Sequence, residues 1–535
     1  MTEILALIAG GIVLGLVARQ FHIPYPIALV LGGLAVSFIP GLPAVELNPE
    51  LALTLVLPPI LYQAAIFTSW RDFRANIKPI GLLSIGLVLL TTLGVAAVAK
   101  LIVPGLPWTA ALVLGAIVSP SDAVAATAIM RNLSIPRRIV TVVEGESLVN
   151  DAAGLVLYRF AVAAVLTGTA YTFPGPGLQF LFLATGGIAL GMAAGWISVQ
   201  LQRRIDDPLG EIALSLVFPF AVFIAAEAVH VSAVLAVVAA GLVRGWYSPE
   251  AFSAQTRIQA HAVWDVIVFL INTVVFILIG LMLPQVMAGL TAYSFQTLVL
   301  YAAAVSAAAI AMRFLVIFGA AYGREVLIPS LRRPPSELPW RHLVIVAWSG
   351  MRGVVSLVIA LALPLALPGG EPFPHRELIV FLTYAVILAT LVLQGASLGP
   401  VIRYLGVGAD CDTDAEERLA RSKTIHAAMA EIDALKASGK VPVPVAHALR
   451  EAYAHRLSDI EAIFGDWLAR PSGAAHDAYR SLHLATIAAA RRRLIKLRRD
   501  GQIGDEVLQR VQRELDLEEV RLGSIGAGGM AAAER

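Results

Sequence analysis

Residues 108–131 read WTAALVLGAIVSPSDAVAATAIMR, an apolar run broken near its middle by Ser119-Pro120-Ser121-Asp122. A helix needs about 20 apolar residues to cross a hydrocarbon core about 30 Å thick. A proline flanked by polar residues at that depth is tolerated only where the backbone is buried in protein or lines a cavity. Residues 340–361 read WRHLVIVAWSGMRGVVSLVIAL and are interrupted in the same way by Ser349-Gly350-Met351-Arg352-Gly353. Aligned 230 residues apart, Ser119 meets Ser349, Val124 meets Val354 and Asp122 meets Arg352. Two broken apolar segments in corresponding places predict a membrane protein built from inverted repeats, with its site where the breaks meet.

Working outward from these segments, apolar stretches follow one another from residue 4 to residue 404. About thirteen spans are expected, the second and ninth being short. A weaker internal match, 208 residues apart, aligns Ala18, His22, Gly33 and Leu34 with Ala226, His230, Gly241 and Leu242. Two six-helix repeats, about 4–168 and 209–404, then flank a linker helix at about 177–202. The predicted fold is an all-α polytopic membrane domain over 1–405, followed by a helical tail over 410–535 expected in the cytoplasm.

Basic residues support the same count. Arg19, Arg71, Arg74, Lys78, Arg131, Arg137, Arg138, Arg203, Arg204, Arg244, Arg257 and Arg324 fall after odd-numbered spans, and even-numbered loops offer only Lys100 and Arg376. Positive loops stay on the cytoplasmic side, so the N-terminus is expected outside and the C-terminus in the cytoplasm. The first stretch has Glu3 before it and no cleavage site after it, and reads as a retained span.

The 535 residues are 58% hydrophobic and 15% charged, with mean hydropathy +0.77, which excludes an ordinary soluble globule. A net charge of +2 gives no support to nucleic-acid binding. The lone Cys411 permits no internal disulfide. No glycine-rich loop with Lys-Ser/Thr is present to cradle phosphates, so ATP-driven pumping is disfavoured. The chain reads as no enzyme and calls for no cofactor.

Ionisable residues inside a bilayer cost at least about 2.5–3.5 kcal/mol each and point to a site or a partner. The sixth span carries Glu144, Glu146, Ser147, Asn150 and Asp151 within VVEGESLVNDAAGLV. Glu144 reads equally well as interfacial. Ser147 and Asp151 share a face at i, i+4, with Glu146 and Asn150 on the adjoining one. A carboxylate, a hydroxyl and an amide oxygen form a hard-oxygen set suited to a small hard cation, by extension Na+ or Li+. The competing reading pairs Asp151 with Arg159 or Arg352 as a packing device. Asp122 and Arg352, at the breaks, are expected to offset helix dipoles, Asp122 capping with Ser121 and Arg352 reaching Glu146, with direct ion or proton carriage as the alternative. Arg159, Glu211, Glu227, Asp265 and Arg313 read as snorkelling or simply paired. A buried carboxylate whose charged form is disfavoured by burial and restored by a cation would hold proton and cation alternately.

Taken together and in order, LPPILYQAA, VSPSDAVAA, EGESLVNDAAG and WSGMRGVVSLVIALALP resemble the sodium/proton exchangers of the monovalent cation/proton antiporter superfamily, type one, over about residues 1–405. The resemblance implies a homodimer in a plasma (bacterial inner) membrane, with a dimerisation bundle and a core bundle that moves like an elevator. It implies that Asp151 binds Na+ or the proton, that Ser147 is a co-ligand, that the break around Ser121 lends oxygens and that Glu146 pairs with Arg352. Asn150, where some relatives carry a second aspartate, resembles the electroneutral exchangers. Gln63 departs from an acidic residue of several relatives, leaving the preference among Na+, Li+ and K+ open. Rival classes are a passive cation channel, a non-transporting membrane sensor and an organic-anion carrier. The tail has apolar residues at helical spacing (Ile425, Met429, Ile432, Leu435) and reads as about four helices, with a basic run at 491–499 and an acidic one at 514–520.

Overall fold

The computed structural model describes residues 2–465, apart from 21–24, 39–48, 131–132, 134, 168–174, 206, 252–253, 328–338, 408–410 and 440, with isolated positions between 487 and 517. Among the described residues the regular structure is helical, with an isolated bridge between Ala366 and Pro372 and turns or irregular backbone between the helices. Residues 1–132 and 137–407 form one compact unit. Residues 133–136 and 408–535 form a second.

In chain order the first unit contains α1 (Thr2–Gln20), α2 (Tyr25–Ser37), α3 (Pro49–Phe67), α4 (Trp70–Ala75), α5 (Ile77–Gly81), α6 (Val88–Ile102), α7 (Trp108–Val118), α8 (Ala123–Met130), α9 (Arg137–Thr167) and α10 (Gly175–Gln202). It continues with α11 (Pro208–Ala228), α12 (Ala233–Ala251), α13 (Ala254–Leu281), α14 (Leu283–Ala288), α15 (Phe295–Leu327), α16 (Trp340–Trp348), α17 (Val354–Leu361), α18 (Arg376–Ala389) and α19 (Gly395–Leu405). Leu82–Leu87 joins α5 to α6, and Thr390–Gln394 joins α18 to α19, each as a π-helical turn.

Among the described residues eight helical segments are long and apolar enough to cross a membrane, and four shorter apolar helices lie at Ala9–Ala18, Tyr25–Ser37, Thr54–Phe67 and Ala233–Ser248. The pieces α16 and α17 are each too short to span alone, at 9 and 8 residues. The breaks fall where the sequence places them: α7 stops at Val118 and α8 starts at Ala123, while α16 stops at Trp348 and α17 starts at Val354. Of the weaker repeat, His22 lies outside the described residues, and His230 takes a left-handed conformation at φ 56° in the turn between α11 and α12.

Small residues let these helices approach closely, as expected where lipid gives no hydrophobic drive between them. Gly187, Gly191 and Gly195 of α10 face Ser232, Ala236 and Ala240, the last two on α12. A Cβ on Gly191 would lie 2.1 Å from the Ala236 carbonyl oxygen. Gly154 does the same for α9 at the first break, where a Cβ would lie 2.3 Å from Pro120 Cγ.

In the second unit α20 (Cys411–Ala437) and α21 (Val443–Gly465) pack together, with Ile425, Ile432 and Ala446 buried. Arg450 pairs with Asp433 at 3.1 Å. The further tail helices expected from the sequence and most of the two charge runs lie outside the described residues.

Candidate functional site

The two breaks meet. The Asp122 amide donates to the Met351 carbonyl at 2.8 Å, tying one interruption to the other. On each side a serine closes the first half-helix identically: Ser119 Oγ donates to the Ala116 carbonyl at 3.1 Å and Ser349 Oγ to the Val346 carbonyl at 2.9 Å. The second halves share one anion. Asp122 Oδ1 accepts from the Val124 amide at 2.8 Å, and the Val354 amide bonds the same carboxylate. Asp122 therefore caps the N-termini of both α8 and α17, where orphan N–H groups and the helix dipole favour negative charge. A Cβ on Gly353 would overlap its Oδ2, so only glycine admits this carboxylate between the half-helices.

Helix α9 passes the crossing with Glu146, Ser147, Asn150 and Asp151. Ser147 Oγ accepts from the Ala123 amide at 3.1 Å and so also caps α8. Ser121 Oγ donates to Glu146 Oε1 at 2.8 Å and accepts from Asn150 Nδ2 at 2.9 Å. Asn150 Nδ2 also reaches the Ser121 carbonyl at 3.2 Å. Its Oδ1 is buried and has no hydrogen-bond partner among the described residues.

Glu146 is fully buried, and the structure corrects its expected pairing with Arg352. Its partner is Arg313 of α15, a fork–fork pair with Nη1 on Oε1 at 2.5 Å and Nη2 on Oε2 at 2.9 Å. Arg313 also donates to the Val346 carbonyl through Nε and Nη2, and Nη1 reaches Ser121 Oγ at 3.2 Å. It has room because Gly350 has no side chain: a Cβ there would lie 2.2 Å from Arg313 Cδ. Arg352 instead turns back on its own break, with Nη1 on the Gly350 carbonyl at 3.1 Å and its amide on Thr390 Oγ1 at 3.0 Å. One guanidinium takes both carboxylate oxygens of Glu146, which leaves none for a second fork.

Asp151 is 8% exposed, and among the described residues no side chain forms an ion pair or hydrogen bond with it. Neither expected packing partner takes it. Arg352 bonds the Gly350 carbonyl through Nη1, its Nε having no partner among the described residues, and Arg159 pairs with Glu227 at 2.6 Å. Gln63 lies half-buried on α3, which packs against α9 and α17, but no hydrogen bond joins it to this group. Among the described residues no three His, Cys, Asp or Glu side chains cluster as a metal site. Side-chain oxygens of α9 that keep accepting capacity beside the crossing include the Asp151 carboxylate, Asn150 Oδ1 and a lone pair of Ser147. One charge among neutral oxygens suits a monovalent rather than a divalent cation.

Two buried arginines escaped the sequence reading. Arg313 reads as snorkelling or simply paired; it is paired, but with the carboxylate beside the crossing, and it stands midway along α15 and is 1% exposed. The length of that apolar run was the available signal. Arg244 reads as a loop residue, yet it is buried in α12 with Nε on Gln202 Oε1 at 3.1 Å, and Gln202 reaches the Glu211 carbonyl at 3.4 Å. No feature of the local sequence marks it.

Comparison with known proteins agrees with this geometry. Residues 4–404 match the family model described as sodium/hydrogen exchanger, transmembrane. An "Uncharacterized Na(+)/H(+) exchanger" of Mycobacterium tuberculosis is 35% identical over 526 residues, covering 98% of this chain and 96% of that one. A "Sodium, potassium, lithium and rubidium/H(+) antiporter" of Bacillus pumilus is 33% identical over 429 residues, 76% of this chain and 63% of that one. In fold, the chain is similar to the sodium proton antiporter MjNhaP1 of Methanocaldococcus jannaschii, with TM-score 0.58 at 18% identity over 76% of this chain and 98% of that one. An all-helical membrane unit, two broken helices crossing beside a buried carboxylate and a family match across nearly all of that unit lead to one conclusion: the chain belongs to the sodium/hydrogen exchanger family, a family of cation/proton antiporters.

Proposed function

We propose that the chain exchanges Na+, with Li+ or K+ as further substrates, for H+ by alternating access, cation and proton competing for Asp151. The observation that carries this reading is that Asp151 is the carboxylate of the crossing without a protein partner: Glu146 is held by Arg313, and Asp122 by the amides of two half-helices. Burial in low dielectric penalises a bare carboxylate, so a proton or a cation must neutralise it. If the bundles exchange access only with this charge neutralised, one ion crosses for each proton without ATP. Ser147 and Asn150 Oδ1 supply neutral oxygens to the cation, and the break at Ser121 sets the position of Asn150. With asparagine at 150 the site carries one negative charge and exchange is one-for-one and electroneutral. Asp122 and Arg352 stabilise the breaks, and Gln63 stands as an outer contributor. The working form is a homodimer in a plasma membrane, C-terminus in the cytoplasm.

The experiment is proton flux in sealed vesicles carrying the purified full chain, read with a pH-sensitive dye on addition of Na+, K+ or Li+ in turn. Asp151→Asn is expected to abolish cation-dependent dequenching while the protein stays folded in detergent. Exchange retained by that variant would overturn the assignment of Asp151.

A further inference from the structure

Among the described residues of the membrane unit, buried apolar side chains gather in two separate cores. One gathers chiefly side chains of α6, α7, α15, α17 and α18, together with Tyr158 of α9. The other gathers chiefly α3, α11, α12 and α13, together with Leu148 and Ala152 of α9. Leu155 of α9 and Val355 of α17 pack against both. The seam between the cores therefore runs along α9. On that helix Asp151, Leu155 and Arg159 follow at i, i+4 and i+8, a single stripe with about 6 Å of rise between successive members. Leu155, which packs against both cores, thus separates the partnerless carboxylate from an arginine one turn further on.

That arginine crosses the seam. Arg159 follows Tyr158 of the first core, and its Nη2 meets Glu227 Oε1 at 2.6 Å. Glu227 sits in the last turn of α11, beside Phe223 and Ala226 of the second core. The two side chains are 50% and 42% exposed, so the pair can part without uncovering either core. A pair that joins the two cores at a single contact biases the ratio of two conformers without holding either core together. In carriers of this design access alternates by motion of one bundle against the other around the site.

We propose that Arg159 and Glu227 form a latch across this seam, closing the passage from the C-terminal end of α9 to Asp151 and parting when the site opens toward that end. Both are positioning residues that touch no transported ion. The proposal rests on the exchange reading above, since a seam that never opened would leave the pair nothing to gate.

The test uses the full chain in vesicles, with the unmodified protein alongside. Arg159→Glu and Glu227→Arg are each expected to change the maximal Na+-driven rate by about threefold or more, in the same direction, with unchanged melting temperature in detergent. The double reversal restores the pair and should return the rate toward that of the unmodified chain. In a Cys411→Ser background, Arg159→Cys with Glu227→Cys joined by a short, reducible bis-thiosulfonate should arrest exchange, and reduction should release it. Unchanged rates in the single reversals, additive effects in the double one, failure of the reagent to join the two cysteines or full exchange by the cross-linked chain would each overturn the latch. Absence of flux with any monovalent cation in the unmodified chain overturns the exchange reading and the latch with it. The unmodified chain's own flux therefore tells the two failures apart.

Discussion

Arg313 on α15 holds both carboxylate oxygens of Glu146 on α9, at 2.5 and 2.9 Å, with both side chains at most 1% exposed. This pair joins the long helix that carries Asp151 to a helix from the other half of the sequence, and its spare donors bind the carbonyl at the end of α16. It organises the crossing and leaves the Asp151 carboxylate untouched.

Breaking such a pair from one side strands a buried charge. Arg313→Ala is expected to lower stability by about 3–5 kcal/mol, read as a large drop in melting temperature in detergent. Glu146→Gln combined with Arg313→Met should recover much of that loss, because no bare charge remains. Arg352→Ala should couple to Glu146→Gln less strongly than Arg313→Ala does, since Arg313 forks Glu146 while Arg352 and Glu146 share no hydrogen bond and act on each other only through charge. A coupling of Glu146 to Arg352 larger than its coupling to Arg313 would reverse the partner assignment.

Asp122 caps two half-helices at once, each cap being worth about 1–2 kcal/mol, so Asp122→Ala should cost about twice a single cap. Asp122→Asn keeps one acceptor oxygen and should cost less. Gly353→Ala should be worse than its size suggests, because the added methyl would overlap the Asp122 carboxylate. Yield of monodisperse protein and melting temperature across the three variants check this order, and a harmless Gly353→Ala would argue against the close approach.

Asn150 divides its amide between two tasks, its nitrogen on Ser121 and its oxygen partnerless. If that oxygen helps hold the cation, Asn150→Ala should raise the apparent KM for Na+ by about tenfold, a loss near 1.4 kcal/mol, with a smaller effect on maximal rate. Ser147→Ala should act in the same direction. Gln63→Ala, by its half-buried place on α3, is expected to change KM less than either. Initial rates of dye dequenching against Na+ concentration give all three values.

Packing of α10 on α12 depends on the absence of side chains at Gly187, Gly191 and Gly195. Gly191→Val is expected to force the helices apart and destabilise the protein by about 1–3 kcal/mol or more, as overpacking does. Thermal unfolding of the detergent-solubilised chain measures it, and a melting temperature equal to that of the unmodified protein would contradict the contact.

The local features were legible because they are written in consecutive residues. An apolar run needs only length, a proline with polar neighbours breaks it wherever the chain goes, and Ser119 and Ser349 close their half-helices with bonds that reach three residues back. The grouping of Glu146, Ser147, Asn150 and Asp151 on adjoining faces of one helix followed from the 3.6-residue turn. Tertiary structure decided which charges meet. Arg313 and Arg352 both lie inside apolar segments, and nothing in the sequence around either says which fork will face Glu146. That choice depends on how α15 and the α16–α17 break cross α9, on the room left by Gly350 and on the turning back of Arg352 to its own backbone. Arg244 was unreadable for the same reason, since burial depends on what packs over a residue. Helices and their interruptions arise from short-range sterics and transfer energy, whereas ion pairs between distant segments arise from a geometry that exists only once the helices are packed, and that geometry leaves Asp151 as the carboxylate of the crossing without a protein partner.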